Sequence, residues 1–290
     1  MSYHQFADDT LLYIATNAAE TAPTLDRLAR CTAAVKQWFL LSDLQLNSDK
    51  SEVVVFGTTA QLQSIASVKT VDIAGCSLPV KCTVKSLGVI LDSHFNFDSH
   101  AKSVVATCNS HTHARRHIRK VLSQDVAKTI ACSIVSARLD YCNALLRGAP
   151  ATTIDKLQRA QDTLAGVVTK STRQTPSRPL LCSVQSLHWL PVREHIDYKV
   201  ALLAYKVQTT SIPSYLDSLL YRHISTRCLR STDDALRLVV PRTRTELARR
   251  AFSASAPSVW IGLPDSDSIR LRKTVPTFKK HYFSRAFVSP

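Results

Sequence analysis

The chain of 290 residues carries 37 Lys and Arg against 22 Asp and Glu, a net charge of +15, with 45% hydrophobic residues and only 6 glycines. That allows an ordinary core in one large domain or two, and the scarcity of glycine disfavours an all-β sandwich with its many φ > 0 turns. No run nears the ~18 apolar residues of a membrane span and no basic, apolar leader opens the chain. Its eight cysteines are dispersed without a Cys-x-x-Cys pair, so they are expected as reduced core residues of an intracellular protein, nuclear or cytoplasmic.

The charge is uneven. Residues 1–98 hold 7 Lys and Arg against 10 Asp and Glu, whereas residues 99–290 hold 30 against 12. A basic excess confined to one part of a chain points to a polyanion partner, most often nucleic acid. The plainer alternative is a solvated basic surface.

In chain order, HQFADDTLLYIA (residues 4–15) reads as two short apolar strands joined at Asp8-Asp9. Two carboxylates ~4 Å apart repel by ~4 kcal/mol at an effective dielectric of ~20. In a half-buried hairpin a hard divalent cation would offset that; the alternative is one turn Asp and one solvated Asp. A helix follows Pro23, with Leu25, Leu28, Val35 and Trp38 or Phe39 on one face and Thr21 as its cap. SEVVVFG (51–57) is a β-branched run. Residues 67–92 offer three strands punctuated by Gly75, Pro79 and Gly88. Antiparallel α/β texture is expected to residue 98.

From Ser99 the texture turns helical. Ser123 caps a predicted helix with the stripe Val126, Ile130, Ile134, Leu139 and Leu145 or Leu146, ended by Gly148 and Pro150. Residues 152–168 predict another, with Leu157, Ala160 and Leu164 facing in. A basic, proline-bearing loop covers 169–180, and Pro191 opens a helix carrying Ile196, Val200, Leu203 and Val207. A short helix near 215–220, an irregular arginine-rich segment over 223–250 and a terminal basic amphipathic helix complete the chain. HARRHIRKVL (113–122) places Arg115, Arg116, Arg119 and Lys120 on about one helix face, able to track phosphates. Arg242, Arg244, Arg249 and Arg250 form a second cluster. Tyr282 and Phe283 lie beside Lys279, Lys280 and Arg285 but read as core rather than as base-stacking rings. Cys108, His111, His113 and His117 lack the paired-cysteine spacing of a zinc knuckle, and no zinc is expected.

FADD between two apolar strands resembles the Phe/Tyr-Ala-Asp-Asp box of reverse transcriptases. LQLNSDKSEVVVFG (44–57) is similar to the family's Leu-x-Leu-Asn-x-x-Lys-Ser/Thr-Glu box, with Trp38 fitting the helix before it. VKSLGVILDSHFNF (84–97) resembles the Leu-Gly hairpin called the primer grip. SARLDYCNALLRGAP (136–150), LHWLPVREHIDYK (187–199), RCLRS (227–231), VPRTRTELARRAF (240–252) and APSVWIGLP (256–264) look like the region after the polymerase core in jockey-like non-LTR retrotransposons, the LINE elements. The series covers nearly the whole chain in order. It departs at Ser42-Asp43, where Asn is usual, and at Ile261, which follows Trp260 where Asn is usual.

The resemblance implies an α+β fold. A partial palm would span residues 1–98, a helical thumb-like region 99–168 and a basic helical C-terminal region 169–290. It implies RNA-directed DNA polymerisation on an RNA template and DNA primer with Mg²⁺, or Mn²⁺, as cofactor. Asp8 would be the principal metal ligand and Asp9 a supporting one; Lys50 would lie near the incoming triphosphate, and Leu87 and Gly88 at the primer grip. Arg115, Arg116, Arg119, Lys120, Arg242 and Arg244 would contact nucleic acid. The boxes preceding FADD in the family, including the other metal-binding Asp, would lie before Met1. The chain alone is therefore expected not to polymerise. The alternatives are a nucleic-acid-binding remnant without catalysis and a non-functional fragment with an unpaired sheet edge.

Overall fold

The computed structural model describes residues 1–7, 9–47, 50–171, 175–182, 187, 189–222, 238–263 and 275–286. The fold is mixed α+β, and the chain divides into two compact units, Met1–Asn96 and Phe97–Pro290.

The first unit opens with an antiparallel hairpin of β1 (Ser2–Phe6) and β2 (Asp9–Tyr13), in which Phe6 pairs with Asp9 and Ala7 enters the turn at φ 53°. Asp9 thus belongs to the second strand. Helix α1 (Thr21–Leu41) contains Pro23 in its first turn, where the missing N–H costs nothing. Thr21 is not its cap. Asn17 accepts from the Glu20 N–H at 2.9 Å, and the Thr21 hydroxyl donates to the Asn17 carbonyl at 2.9 Å. The apolar stripe has a gap at Cys31, and Thr32 fills the buried position beside it. Its Oγ1 accepts from the Ala74 N–H at 3.0 Å, and Lys36 Nζ donates to the Ala74 carbonyl at 3.0 Å.

Ala74 and Gly75 form the tight turn between β4 (Thr70–Ile73) and β5 (Cys76–Lys81), at φ 56° and 83°. Two successive positive φ values suit the right-handed twist of a hairpin, and α1 holds that turn through both Ala74 backbone groups. The run 51–57 yields only β3 (Val53–Val54), before a short capped helix α2 (Thr59–Ser64). β3 pairs parallel, not antiparallel, with β5 at Val80 and Lys81. Pro79 lies inside β5 rather than ending it. The Val80 N–H donates towards β4, to Lys69, so position 79 faces the β3 side just beyond the residues β3 pairs; no ladder bond is lost there. A fourth strand appears as well: β6 (Thr83–Ser86) and β7 (Val89–Asp92) make a hairpin turned by Leu87 and Gly88 at φ 45° and 82°.

The second unit is helical. α3 (Asp98–Ile118) packs along α6 (Ala151–Thr169), which buries Leu157, Ala160 and Leu164 as its periodicity predicts. The helix predicted from Ser123 is broken into pieces. Ser123 does cap α4 (Gln124–Ala131), accepting from the Val126 N–H at 3.3 Å. A π-helical turn (Cys132–Ser136), α5 (Ala137–Asp140), a left-handed Cys142 and a 3₁₀ turn (Asn143–Leu146) follow. The buried stripe is consequently Ala127, Ala131, Val135 and Leu139, at a spacing of four that the wide π turn accommodates. Of the predicted stripe, Val126 and Ile134 stand 46% and 39% exposed.

Within the stretch predicted as a loop, α7 (Ser177–Cys182) forms. Pro191 opens α8 (Val192–Thr210), and α9 (Ser214–Asp217), α10 (Glu246–Arg250), α11 (Phe252–Ile261) and α12 (Val275–Ala286) follow. α8, α11 and α12 build one core in which Tyr205 stacks on Phe278 at 4.7 Å beside Trp260. α11 is apolar nearly all round and carries Pro257, so periodicity does not reveal it. Residues 223–237, most of the predicted irregular segment, lie outside the described residues. Among the described residues no helix is long and apolar enough to cross a membrane.

Trp260 is fully buried and Trp38 is 61% exposed. Trp260→Ala is expected to cost about 3–5 kcal/mol in urea unfolding, and Trp38→Ala about 0.5 kcal/mol or less.

Candidate nucleic-acid interface

Two hairpins carry the polymerase-like boxes of the first unit. Asp8 lies outside the described residues. Asp9 starts β2 and is exposed, as is every residue of β1, including Tyr3 and Phe6. The half-buried setting expected for the pair is therefore not found at Asp9. For an exposed carboxylate, a like charge ~4 Å away in open water costs only ~1 kcal/mol. Lys50 is exposed, its N–H donating to the Asn47 carbonyl at 3.3 Å; Ser48 and Asp49 lie outside the described residues. Leu87 and Gly88 occupy the tip of the β6–β7 hairpin. Two clefts of this unit have none of Asp9, Lys50, Leu87 or Gly88 in their lining. One is lined by Met1, Ser2, Tyr3, Leu12, Arg27 and Cys31, another by the Ala33–Leu41 face of α1.

Mg²⁺ is held by one or two carboxylates together with water and substrate phosphates. Among the described residues no group of three or more His, Cys, Asp or Glu could hold an ion. Asp9 by itself does not make a metal site.

The basic cluster of α3 splits in two. Arg116 and Lys120 face solvent, whereas Arg115 and Arg119 are only 8% and 7% exposed. Residues i and i+4 share a helix face, and the Arg115/Arg119 face is the one that packs inward. Arg119 Nε and Nη2 donate to the Val168 carbonyl at 2.9 and 2.6 Å, and Nη1 donates to the Leu122 carbonyl at 2.7 Å. Val168 belongs to the last turn of α6, where carbonyls lack helical partners and a positive charge is favoured. Arg119 is thus a cap for α6 and is spent on the fold; the expectation that it contacts nucleic acid is corrected by these bonds. Arg115 is likewise turned away from the surface its neighbours present.

Arg242 and Arg244 are exposed in the segment before α10. Arg249 pairs with Glu246 at 3.1 Å on the surface. Arg250 lies over Gly148: a Cβ added there would stand 2.9 Å from Arg250 Cγ, and Gly148 has φ 77°. Both facts demand glycine at that turn. Of the aromatic residues near the C-terminus, Tyr282 packs on Tyr198 at 5.2 Å, and Phe283 is not among the described side chains. His113 and His117 touch edge to face at 5.0 Å on α3.

A second polar constellation joins two boxes that the sequence presents apart. Asp140 meets His195 Nδ1 at 2.9 Å, and Asp197 meets Arg147 Nε at 2.8 Å. The Arg147 contact lies off the hydrogen-bond direction, so it is an ion pair rather than a directed bond. Burial pushes the Asp197 carboxyl above its ordinary value, with Glu194 adding to the effect and Arg147 and Arg193 opposing it. The signal was present as complementary charge in LDYCNALLRG and VREHIDYK, but spacing alone does not say that the two segments meet.

No protein-family model matches the chain, and none of the curated proteins or solved structures matches it either.

Two outcomes follow from this geometry. Arg119→Ala should destabilise the chain by about 1.5–3 kcal/mol, the worth of charge-assisted bonds, in urea titration, without weakening oligonucleotide binding. Asp197 is held above its ordinary pKa in the folded state, so the folded chain binds that proton more tightly than the unfolded one. Its contribution is greatest at low pH and declines as pH rises through the carboxylate range. The stability of Asp197→Asn relative to wild type should accordingly increase between roughly pH 4 and 7, as read from urea midpoints; a constant difference would contradict it.

Proposed function

We propose that this chain is a nucleic-acid-binding protein related to the reverse transcriptases of LINE-type retrotransposons, with palm-like residues 1–98, thumb-like residues 99–168 and a basic C-terminal region over 169–290. The observation that carries the reading is the ordered series of boxes, from FADD through LQLNSDKSE and the Leu87-Gly88 hairpin to the Trp260 segment. The paired strands around FADD and around Leu87-Gly88 are compatible with it.

Polymerase phosphoryl transfer uses two metal ions to activate the primer hydroxyl and stabilise the leaving group, and the carboxylates converge from separate strands. In this reading Asp8 and Asp9 supply one strand's share. Lys50 neutralises the triphosphate, and Arg116, Lys120, Arg242 and Arg244 meet the backbone of template and primer. With one carboxylate strand, residues 1–290 alone bind nucleic acid without turning it over.

Two measurements test the reading. Primer extension on an RNA template with Mg²⁺ or Mn²⁺ should give no incorporation; incorporation lost in Asp8→Ala would refute the inactivity. Binding to an RNA/DNA duplex should weaken steeply with salt. Removing Arg116 and Lys120 together should reduce the slope of log affinity against log salt by about 1.5–2 if both meet phosphates. Flat binding from low to high salt would refute the interface.

A further inference from the structure

One turn of α3 buries three polar groups that bond to nothing. Thr112 Oγ1, Arg115 Nε and Arg115 Nη1 are out of contact with solvent and without a hydrogen-bond partner among the described residues. Thr112 is 3% exposed and Arg115 8%. They sit three residues apart on the helix face that also carries the fully buried Cys108 and turns towards α5 and the π-helical turn as well as α6. A guanidinium cannot discharge by losing its proton, and burying two of its three nitrogens without partners or a counter-charge is disfavoured.

No described residue supplies that counter-charge. Arg115 forms no ion pair with a described carboxylate, and the titratable group that acts on it is Cys108, which could help only as a thiolate. Burial pushes the Cys108 thiol up to about 11, against the pull of Arg138 and Arg115. The sulfur is therefore a neutral thiol at physiological pH. Arg138, exposed on α5, brings a second positive charge to the same neighbourhood. Two cations, an unmet hydroxyl and no anion among the described residues is the arrangement that a tetrahedral oxyanion completes, since charge-assisted N–H···O bonds to phosphate are among the strongest a protein makes.

We propose that this face of α3 is an oxyanion site of the phosphate class, with Arg115 and Thr112 as its buried donors and Arg138 as the cation at its rim. The oxyanion is either free inorganic phosphate or a backbone phosphate of bound nucleic acid. The site does not depend on the polymerase reading, because it follows from burial and unmet donors alone.

Thermal unfolding of the full chain in inorganic phosphate, with ionic strength held constant by chloride, tests it. Wild-type Tm should rise saturably over about 0–20 mM phosphate, by several degrees, as a ligand that binds only the folded state requires. Arg115→Met should abolish the rise and Arg138→Gln should diminish it. Should Arg115→Met fail to fold, ³¹P line broadening of phosphate by the wild-type chain, lost in Thr112→Val, reads the same site. A labelled single-stranded oligonucleotide separates the sources. Binding weakened about tenfold by Arg115→Met and competed by phosphate assigns a backbone phosphate; unchanged oligonucleotide binding with the phosphate effect lost assigns the free anion. No phosphate effect beyond chloride in the wild-type chain, by Tm or by line broadening, would overturn the proposal. So would an equal effect in the variants, because a buried water would then be serving the donors.

Discussion

Helix α3 lies on α6 with a polar face inward, and much of the second unit follows from that. Arg119 closes the contact. Its guanidinium binds the Val168 carbonyl at the end of α6 and the Leu122 carbonyl just before the Ser123 cap of α4. One side chain therefore ties together the end of α3, the start of α4 and the end of α6. Charge-assisted bonding of this kind is worth about 1.5–3 kcal/mol, against a total stability of about 5–15 kcal/mol. Helical geometry then fixes the rest of the cluster. With Arg119 inward, Arg115 one turn earlier is inward too, and Arg116 and Lys120, about 100° further round, must face water. The cationic surface is half of what a count of arginines suggests, and its buried half serves packing and the proposed anion site.

The boxes that carry the family resemblance play different physical parts in the two units. In the second unit they are joints. Arg147 meets Asp197, Asp140 meets His195, Arg250 covers Gly148, and Trp260 fills the core against α8 and α12. Such residues are constrained by fold, and their agreement with a family pattern speaks first to architecture. In the first unit the boxes sit at hairpin tips and on exposed strands. Phe6, Asp9, Lys50 and Leu87 are exposed there, so burial does not account for their identity, whereas Gly88 is needed by its φ of 82°. The two sets of boxes therefore differ in how far packing constrains them.

Much of this architecture was legible in the residues. Tight turns announced themselves through Gly75, Gly88 and Gly148, the α4 cap through Ser123, and α6 through its Leu157, Ala160, Leu164 spacing. Three things were not. The buried stripe runs through Ala127, Ala131 and Val135 instead of Val126 and Ile134, because small side chains let helices approach closely, and no local pattern encodes the π turn that follows. α11 carries no polar face for periodicity to register. The inward turn of Arg115 and Arg119 is set by which carbonyls lie across from them, a tertiary fact. For the carboxylate pair, the sequence located the hairpin, but the burial on which the metal argument leaned depends on what covers the strands, and Asp9 proved exposed.

The division of the α3 cations is the claim on which the account turns, and arginine-selective modification of the folded chain, read residue by residue by mass spectrometry, tests it most directly. Arg116 should react rapidly with phenylglyoxal and be protected by an added RNA/DNA duplex. Arg119 and Arg115 should react slowly with or without it. Equal, rapid modification of all three arginines, each protected by the duplex, would contradict the account.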